Sequence, residues 1–528
     1  MPETEILLTL RDASRLASTL TGREITPSNI AYLVQYGQVR KVSRGNTTYV
    51  PKSDLETYYR KMLARKKEAW EQHLGETLNW HLSFEEVPER ERTKHVHRLH
   101  PYKGKFIPQL VEYFLDEHID EFKPQAYFHP GDTVLDPFCG SGTTLVQANE
   151  LGLHAIGVDV SFFNVLIGNV KIHPHDLIAL NKHIREITLA LKRFVSERPH
   201  KAFEQALKEA LAEFNARYFP SPEFKRQVRE GKINQFAYGE EKAKAFQQIF
   251  HALANKFGIA VLPTESQTFL EKWYLPSTRE ELLFLRDRIL KIDEPDVREV
   301  LTIVLSRTAR SCRATTHSDL ATLVKPVDAP YYCRKHGKIC APLFSTTKWW
   351  GYYSKDTLKR LWDFHYLRTA TEQQCVVGDA RTIDLPAALE AVNSTLAQIA
   401  AARKIKGIFT SPPYVGMINY HQQHEYAYEL FHFERRDALE IGPLYKGQGA
   451  QARQEYVESI AQVLRHAQRY LSNGFEIFIV ANDKHNLYPT IAEKAGLRIV
   501  QEFKRPVLNR TEKNKTPYAE SIFHMRAK

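Results

Sequence analysis

The sequence has few cysteines and no long apolar run, and both absences limit what the protein can be. Five cysteines among 528 residues cannot form a disulfide framework, so we expect a protein of the reducing cytoplasm. They are Cys139, Cys312, Cys333, Cys340 and Cys375. No segment approaches the apolar length that spans a bilayer, so no contact with a membrane is expected. Met1 to Leu10 has an acidic start without an apolar core, so we expect no signal peptide.

Length and charge suggest a protein of several domains with a polyanionic partner. The chain is too long for one hydrophobic core, and about three or four domains are expected. It contains 73 lysines and arginines against 62 acidic residues, which gives a net charge of +11. Such an excess favours binding to a polyanion, although many basic proteins bind none.

Residues 1–62 have the pattern of a small separate unit. Apolar spacing predicts a helix over 9–20, Thr26-Pro27 begins a second, two short strands flank residues 44–46 as in a hairpin, and a third helix follows. This order resembles the winged-helix units of the excisionase and MerR type, and a small helical docking domain is the alternative. The resemblance implies double-stranded DNA as a partner, with contacts from Ser28, Arg40, Lys41 and Arg44.

A glycine-containing turn between a strand and a helix is the most specific pattern in the chain. A strand over 132–135 leads into Asp136, and Gly140 and Gly142 allow close backbone approach before the helix. No lysine follows, and the carboxylate of Asp136 would repel a phosphate and attract a cationic or amino group. A second strand ends at Asp159, where this topology binds ribose hydroxyls. A Rossmann dehydrogenase is the alternative.

The sequence Ser411-Pro412-Pro413-Tyr414 follows a short apolar run that reads as a buried parallel strand. Two prolines end the strand and remove two N–H donors, which leaves the Ser411 hydroxyl and nearby carbonyls as acceptors beside an aromatic ring. Such a site suits a planar heterocycle with an exocyclic amino group. A strand-end turn with a packing tyrosine is the plainer interpretation.

Together these segments resemble the S-adenosylmethionine-dependent amino-methylating DNA methyltransferases, with motifs in the order X, I, recognition and IV. The resemblance assigns catalysis to Ser411, Pro412, Pro413 and Tyr414. It assigns cofactor binding to residues at the helix start, the glycine turn and two strand ends: Phe106, Pro108, Asp136, Pro137, Phe138, Gly140, Gly142, Thr143, Asp159 and Asp379.

The resemblance also implies an α/β fold, a doubly wound Rossmann-like sheet interrupted by a large, mostly helical insert. The expected parts are a winged-helix-like unit (1–62), a charged linker (63–94), a cofactor-binding half (95–172), an insert for target recognition (173–370) and a catalytic half (371–528). Arg310 and Arg313 lie in an arginine- and hydroxyl-rich stretch of the insert that suits contacts to DNA.

The expected reaction is transfer of a methyl group from S-adenosylmethionine to the N4 amino group of cytosine in duplex DNA, after the base is flipped out. Serine at the first position of motif IV is typical of cytosine-N4 enzymes, and Asp or Asn of adenine-N6 enzymes, so adenine-N6 methylation is the alternative. An RNA amino-methyltransferase and a non-catalytic DNA-binding regulator are weaker alternatives. Cytosine-C5 chemistry is disfavoured because no Pro-Cys pair exists in the chain. A restriction-modification or defence role, with a cognate restriction endonuclease as a partner, is expected.

Cys333, His336 and Cys340 could bind a structural Zn²⁺, with Cys312 or His317 as the fourth ligand. The spacing lacks the paired knuckles of a zinc ribbon. Buried free cysteines are the alternative, since they are common in proteins of a reducing compartment.

Overall fold

The computed structural model describes residues 5–21, 25–35, 37–44, 47–75, 77–198, 200–259, 266–317, 319, 323–342, 345–508 and 516–528. The N-terminal elements are β1 (Leu7–Thr9), α1 (Leu10–Thr21), α2 (Pro27–Gln35), β2 (Val42–Arg44), β3 (Thr47–Pro51) and α3 (Lys52–Leu74). The predicted helix, helix, hairpin and helix are present in that order. The structure adds β1, which pairs with β3 to complete a three-stranded antiparallel sheet. Ala13, Ala17, Ile30, Val50 and Leu55 form a core of its own beneath it.

The segment expected to be a charged linker, 63–94, is packed against the rest of the protein. Its first part belongs to α3, which continues to Leu74. Beyond the helix, the backbone N–H and side-chain oxygen of Asn79 bond to the backbone of Lys504 over 2.8 Å each, and Leu82 is fully buried. Backbone pairing and burial of this kind cover the edge of a sheet, so only part of the segment is solvated.

The main domain is interrupted by the expected insert. The first half of the main domain contains α4 (Glu89–Arg92), α5 (Pro108–Leu115), β4 (Thr133–Asp136), α6 (Thr143–Glu150), β5 (His154–Asp159) and α7 (Phe162–Ile172). The insert contains α8 (Leu177–Ser196), α9 (His200–Tyr218), α10 (Glu223–Arg229), α11 (Gln235–Phe257), α12 (Phe269–Trp273), α13 (Pro276–Ile289), α14 (Pro295–Ser311), β6 (Tyr331–Cys333), β7 (Lys338–Cys340) and α15 (Thr346–His365). The second half of the main domain contains β8 (Gln373–Val377), α16 (Leu385–Glu390), α17 (Ser394–Arg403), β9 (Ile405–Thr410), α18 (Glu425–Phe431), α19 (Ala450–Ala467), β10 (Leu471–Ala481), α20 (Tyr488–Lys494), β11 (Leu497–Pro506) and β12 (Ala519–Ala527).

The two halves build one seven-stranded sheet in the order β11-β12-β10-β9-β4-β5-β8. The five strands from β10 to β8 are parallel, and β12 and β11 are antiparallel additions. Strands β4 and β5 come from the first half and lie between β9 and β8 of the second half. The expected α/β fold is confirmed, and neither half can complete the sheet alone.

Neighbouring residues of each central strand face opposite cores, as the pleat of a strand requires. On β9, Ile408 points into the core beneath α19 and α20, whereas Phe409 points into the core beneath α5 and the insert helices. Both residues are fully buried. The apolar run before Ser411 is therefore a strand covered on both faces, which explains why it carries no polar alternation.

The insert consists of two parts with separate cores. Helices α8, α13, α14 and α15 contribute residues such as Leu180, Leu301 and Trp350 to the core that covers the sheet. Helices α9, α10 and α11 and the β6–β7 ribbon share a different core, which includes Phe246, Phe250 and Ile339. We call this second part the insert lobe, residues 200–259 and 329–341. No helix among the described residues is long and apolar enough to cross a membrane.

Substituting Phe478→Ala is expected to destabilise the main domain by about 3–5 kcal/mol, because it leaves a cavity in the centre of the sheet. Phe478 on β10 is fully buried and packs against Phe114 (ring centroids 4.8 Å apart) and His524 (4.5 Å). A thermal melt of the full-length variant measures the loss. Leu189→Ala, on a side chain that is 67% exposed, is the control and should leave Tm nearly unchanged; equal shifts would contradict the assignment of the core.

Candidate active site

The carboxylate of Asp136 joins the glycine turn to the strand that carries the Ser-Pro-Pro-Tyr sequence. Thr410 Oγ1, at the end of β9, donates to Asp136 Oδ1 over 2.6 Å, and Thr144 Oγ1 in α6 donates to Oδ2 over 2.6 Å. Burial raises the pKa of Asp136 to about 6, although both hydroxyl bonds act in the opposite direction. Asp136 is 1% exposed, is not among the residues that line the cleft, and also accepts from the backbone N–H of Phe138 over 3.2 Å.

The glycines of the turn are required by close packing. Gly140 and Gly142 have φ of +51° and +74°, a region that other residues rarely adopt. A Cβ on Gly140 would lie 2.9 Å from the hydroxyl of Tyr102, and one on Gly142 would lie 3.0 Å from the Cα of Gly168 in α7. The turn therefore holds its backbone against α7 and exposes its upper face to the cleft.

Asp159, at the end of β5, is held rigidly at the cleft. Its Oδ2 accepts from the backbone N–H of Gly140 over 2.9 Å, and its Oδ1 accepts from the backbone N–H of Ser161 over 2.8 Å and from Asn164 Nδ2 over 3.1 Å. Burial raises the pKa of Asp159, and these donors oppose that rise. The carboxylate thus has a fixed orientation and can still accept from a ligand hydroxyl.

An open cleft of about 800 Å³ lies above the carboxyl ends of β4, β5, β8 and β9. Of the predicted cofactor and catalytic residues, the following line it: Phe106, Pro137, Phe138, Gly140, Thr143, Asp159, Asp379, Ser411 and Pro413. Five others are not among the lining residues: Pro108, Asp136, Gly142, Pro412 and Tyr414. The structure thus brings the two predicted groups to one cavity, although they are far apart in sequence. This edge of the sheet is where open α/β sheets bind ligands.

Asp379 reaches the cleft in an ion pair with its near neighbour. Arg381 Nη2 lies 2.7 Å from Asp379 Oδ2, and Arg381 Nε donates to Oδ1 over 2.8 Å. Because the guanidinium already uses both carboxylate oxygens, the negative charge at this end of the cleft is largely balanced.

Tyr414 is anchored by the last two strands of the sheet. Its hydroxyl donates to Glu520 Oε1 over 3.0 Å, and Arg505 Nη1 lies 2.7 Å from Glu520 Oε2. Arg505 and Glu520 are paired residues of β11 and β12. Burial, with a smaller contribution from Glu520, holds the pKa of Tyr414 well above its usual range, so the hydroxyl keeps its proton.

The segment after Tyr414 supplies wall residues that the sequence did not point to. Tyr420 and Glu440 both line the cleft. Glu440 accepts from the backbone N–H groups of Tyr420 (3.2 Å) and His421 (2.7 Å) and from the imidazole of His421. No spacing rule links a glutamate to residues 20 positions earlier in a loop, so no sequence signal marked this contact. Tyr102, also on the wall, lies just before the predicted Phe106 and could have been included with it.

The residues predicted to contact DNA have different surroundings. Ser28 and Lys41 are exposed. Arg40 is exposed but forms ion pairs with Glu5 (2.6 Å) and Asp54 (2.7 Å), which raise its pKa. The side chain of Arg44 lies outside the described part of the structure.

In the insert, Arg310 is partly buried, and Arg313 is only 4% exposed. The guanidinium of Arg313 lies 5.5 Å from the ring centroid of Tyr426, inside the protein. Arg313 would have to leave this position to reach a phosphate. The local sequence does not distinguish Arg313 from Arg310, so it did not predict which of the two is buried.

Four of the candidate zinc ligands are brought together. His317, Cys333, His336 and Cys340 each offer a ligand atom, and these atoms lie within 4.8 Å of one another. Cys312 is not in this group, because it is buried in the main core at the end of α14. The fourth member is therefore His317.

A doubly wound sheet with a glycine turn after one strand, a fixed carboxylate at the next strand end and Ser-Pro-Pro-Tyr at a third defines an amino-methyltransferase that uses S-adenosylmethionine. Residues 31–165 match the family model described as DNA methylase. The chain is 44% identical over 524 residues to the Type II methyltransferase M.MjaII of Methanocaldococcus jannaschii, which covers 98% of this chain and 97% of that protein. It is 30% identical over 129 residues to the Type II methyltransferase M.MvaI of Kocuria varians, or 23% of this chain and 26% of that one.

The chain belongs to the family of amino-methylating DNA methyltransferases, with S-adenosylmethionine as the methyl donor. Among solved structures, the rRNA methyltransferase aviRa from Streptomyces viridochromogenes matches at 11% identity and a TM-score of 0.27, over 81% of this chain and 88% of that one. So low a score has no bearing on the substrate.

Asp136 predicts a pH dependence of stability. Its folded pKa is raised from an ordinary 3.8 to about 6, so between these values the native state binds the proton more tightly than the unfolded state. The contribution of Asp136 to the free energy of unfolding therefore falls as pH rises between these two pKa values, by up to about 3 kcal/mol in total. Asp136→Asn removes the contribution. Melts of both proteins from pH 5 to pH 8 should show the wild-type Tm falling relative to that of the variant up to about pH 6.5. Parallel curves would contradict a raised pKa.

Proposed function

We propose that the protein transfers a methyl group from S-adenosylmethionine to the N4 amino group of cytosine in double-stranded DNA. The observation that carries the proposal is the position of Ser411, on the wall of the cofactor cleft at the end of β9. The amino-methylating enzymes that this chain resembles typically have serine at this position when they methylate cytosine N4, and Asp or Asn when they methylate adenine N6. The family likeness and the shared cleft support methylation of an amino group, and Ser411 is the basis for choosing cytosine.

The residues of the cleft fit the donor. Ser141 Oγ and Asn164 Oδ1 both belong to residues of the wall and are buried, and neither has a hydrogen-bond partner within the described part of the chain. Polar groups of a ligand would satisfy them, since buried polar atoms are normally paired. Asp159 would accept from the ribose hydroxyls, and Phe106, Pro137 and Phe138 would supply apolar contact. The bound donor supplies an electrophilic methyl group.

The task of the protein is to position a weak nucleophile. The lone pair of an exocyclic amine is delocalised into the ring. Ser411 Oγ and the carbonyl oxygen of Pro412 would accept hydrogen bonds from the two amino hydrogens, which favours a tetrahedral nitrogen with its lone pair free for in-line attack. Because Thr410 is bonded to Asp136, the acceptors keep a set distance from the donor loop. Positioning and electrostatic preorganisation are thus the main contributions of the chain.

A base inside a duplex cannot reach this cleft, so the cytosine would be flipped out of the helix. The ring of Tyr414 would stack on it, held in orientation by the bond from its hydroxyl to Glu520. The N-terminal unit would contact neighbouring DNA through Ser28 and Lys41, which are both exposed. We also propose a role in restriction-modification with a cognate endonuclease, on the basis of the Type II relatives.

Adenine-N6 methylation is the second candidate, because the same acceptors would serve an adenine amino group. Its support is the matched family model, which covers both adenine-N6 and cytosine-N4 enzymes. The identity of the methylated nucleoside separates the two.

Incubation of unmethylated duplex DNA with protein and S-adenosylmethionine, followed by digestion to nucleosides and mass spectrometry, should yield N4-methylcytosine. Ser411→Ala should lower the turnover number by about 10²–10³-fold, because it removes one preorganised hydrogen-bond acceptor. Ser196→Ala, on an exposed serine of α8, is the control and should behave as wild type. N6-methyladenine would overturn the choice of base, and methylation of RNA alone would overturn the choice of DNA.

Tyr414 should act through its ring more than through its hydroxyl. Tyr414→Ala should lower kcat/KM for DNA by about 10–100-fold, the equivalent of a lost stacking contact of about 1–3 kcal/mol. Tyr414→Phe keeps the ring and loses only the bond to Glu520, so its loss should be several-fold smaller. Steady-state kinetics with saturating donor measure both. Equal losses in the two variants would show that the hydroxyl is the important group.

A further inference from the structure

The group of His317, Cys333, His336 and Cys340 has the dimensions of a tetrahedral metal site. His336 Nδ1 lies 3.5 Å from Cys333 Sγ and 3.4 Å from Cys340 Sγ. Zinc–sulfur bonds of about 2.3 Å and zinc–nitrogen bonds of about 2.0–2.1 Å at tetrahedral angles place S and N about 3.5 Å apart. All four ligand atoms lie within 4.8 Å of one another. The side chains are therefore already spaced as ligands of one ion.

The local backbone brings these side chains to one point. Cys333 ends β6 and Cys340 ends β7, and the two strands form an antiparallel ribbon. His336 lies in the turn between them, where the backbone N–H groups of His336 and Gly337 donate to the Cys333 carbonyl over 3.2 and 2.7 Å. Gly337 has φ of +64°, which suits a glycine in a tight turn.

His317 comes from a different segment, six residues after the end of α14, and its ring is oriented by a partner. Its Nδ1 lies 2.7 Å from the hydroxyl of Tyr331, which also accepts from the backbone N–H of His317 over 2.7 Å. This leaves Nε2 as the nitrogen for a metal. A hydrogen bond to the other ring nitrogen is the usual outer partner of a metal-binding histidine.

The other two groups of this kind among the described residues are less suited to an ion. In the group of His95, His97 and Glu150, Lys94 Nζ already lies 2.6 Å from the glutamate and supplies a cation. In the group of His421, Asp437 and Glu440, the glutamate is occupied by two backbone N–H groups. The group at the ribbon contains two thiols and two imidazoles, the ligand types that Zn²⁺ prefers in structural sites.

We propose that His317, Cys333, His336 and Cys340 bind one structural Zn²⁺ that fastens the insert lobe to the segment that follows α14. Four protein ligands leave no open position, so the ion has no catalytic role. The ribbon is held from its other side by Asn215 of α9, whose side chain bonds to both the N–H (2.9 Å) and the carbonyl (3.0 Å) of Ile339. The ion would thus complete the attachment of a ribbon that has only three residues in each strand. This inference does not depend on which base the enzyme methylates.

Metal analysis of the full-length protein, purified without chelator and dialysed, should find about one Zn²⁺ per chain. Exchange into Co²⁺ should give the intense visible absorption of a tetrahedral ion with thiolate ligands. Cys333→Ser and His317→Gln should each lose most of the bound metal. Cys312→Ala, a cysteine of the same insert outside the group, is the matched control and should retain it.

Removal of the ion tests its structural role. A strong chelator should raise hydrogen exchange in the insert lobe, residues 200–259 and 329–341, while binding of S-adenosylmethionine is retained. Absence of metal from the wild-type protein after reconstitution with Zn²⁺ would overturn the proposal, even if the variants fail to fold. Retention of metal by Cys333→Ser, or an octahedral Co²⁺ spectrum, would equally overturn it.

Discussion

The buried carboxylate of Asp136 is the group on which the site depends. It accepts one hydroxyl from the helix behind the donor loop and one from the strand that carries Ser411, and the second of these partners lies 274 positions away in the sequence. Two short bonds to a carboxylate in a low-dielectric interior are strong, and Oδ1 also accepts from the backbone N–H of Phe138 over 3.2 Å. The same residue therefore fixes the distance between the glycine turn and the end of β9, where Ser411 follows. This explains why an acid stands at a strand end yet does not touch the cleft.

The insert can be large because of where it enters and leaves the sheet. The chain departs after α7 and returns at β8, the strand next to β5 at the edge of the sheet. Closing a longer loop between two neighbouring points costs little additional free energy. Five of its helices, α8, α12, α13, α14 and α15, add to the core over the sheet. The insert lobe has its own core of aromatic residues, so a change on the surface of the lobe should have little effect on the cleft.

The parts of the structure that the sequence predicted are those with local causes. The glycine turn and the strand ends at Asp159 and Ser411 follow from short apolar runs and turn residues, and all are present. The parts it did not predict depend on distant contacts. The docking of Asn79 on β11, the burial of Arg313 and the closeness of Glu440 to the cleft are properties of the folded chain that no local pattern encodes. The choice between Cys312 and His317 is a clear case, because the sequence left both open and the end of α14 holds Cys312 in the core, away from Cys333, His336 and Cys340.

Tyr414 shows how such distant contacts enter the chemistry. Its hydroxyl is bonded to Glu520, Glu520 is paired with Arg505, and Arg505 Nε donates over 2.8 Å to the carbonyl of Leu82. Arg505 is only 6% exposed, so its buried charge is stabilised by the ion pair with Glu520. The Glu520 carboxylate is stabilised in turn by the donors of Arg505 and Tyr414. A phenol that donates to an already paired carboxylate keeps its proton and its ring orientation. The segment before the main domain and the last two strands of the chain thus determine the angle of the aromatic face beside Ser411. A substitution at Arg505, which removes both the bond to Leu82 and the ion pair with Glu520, would therefore alter the surroundings of Tyr414.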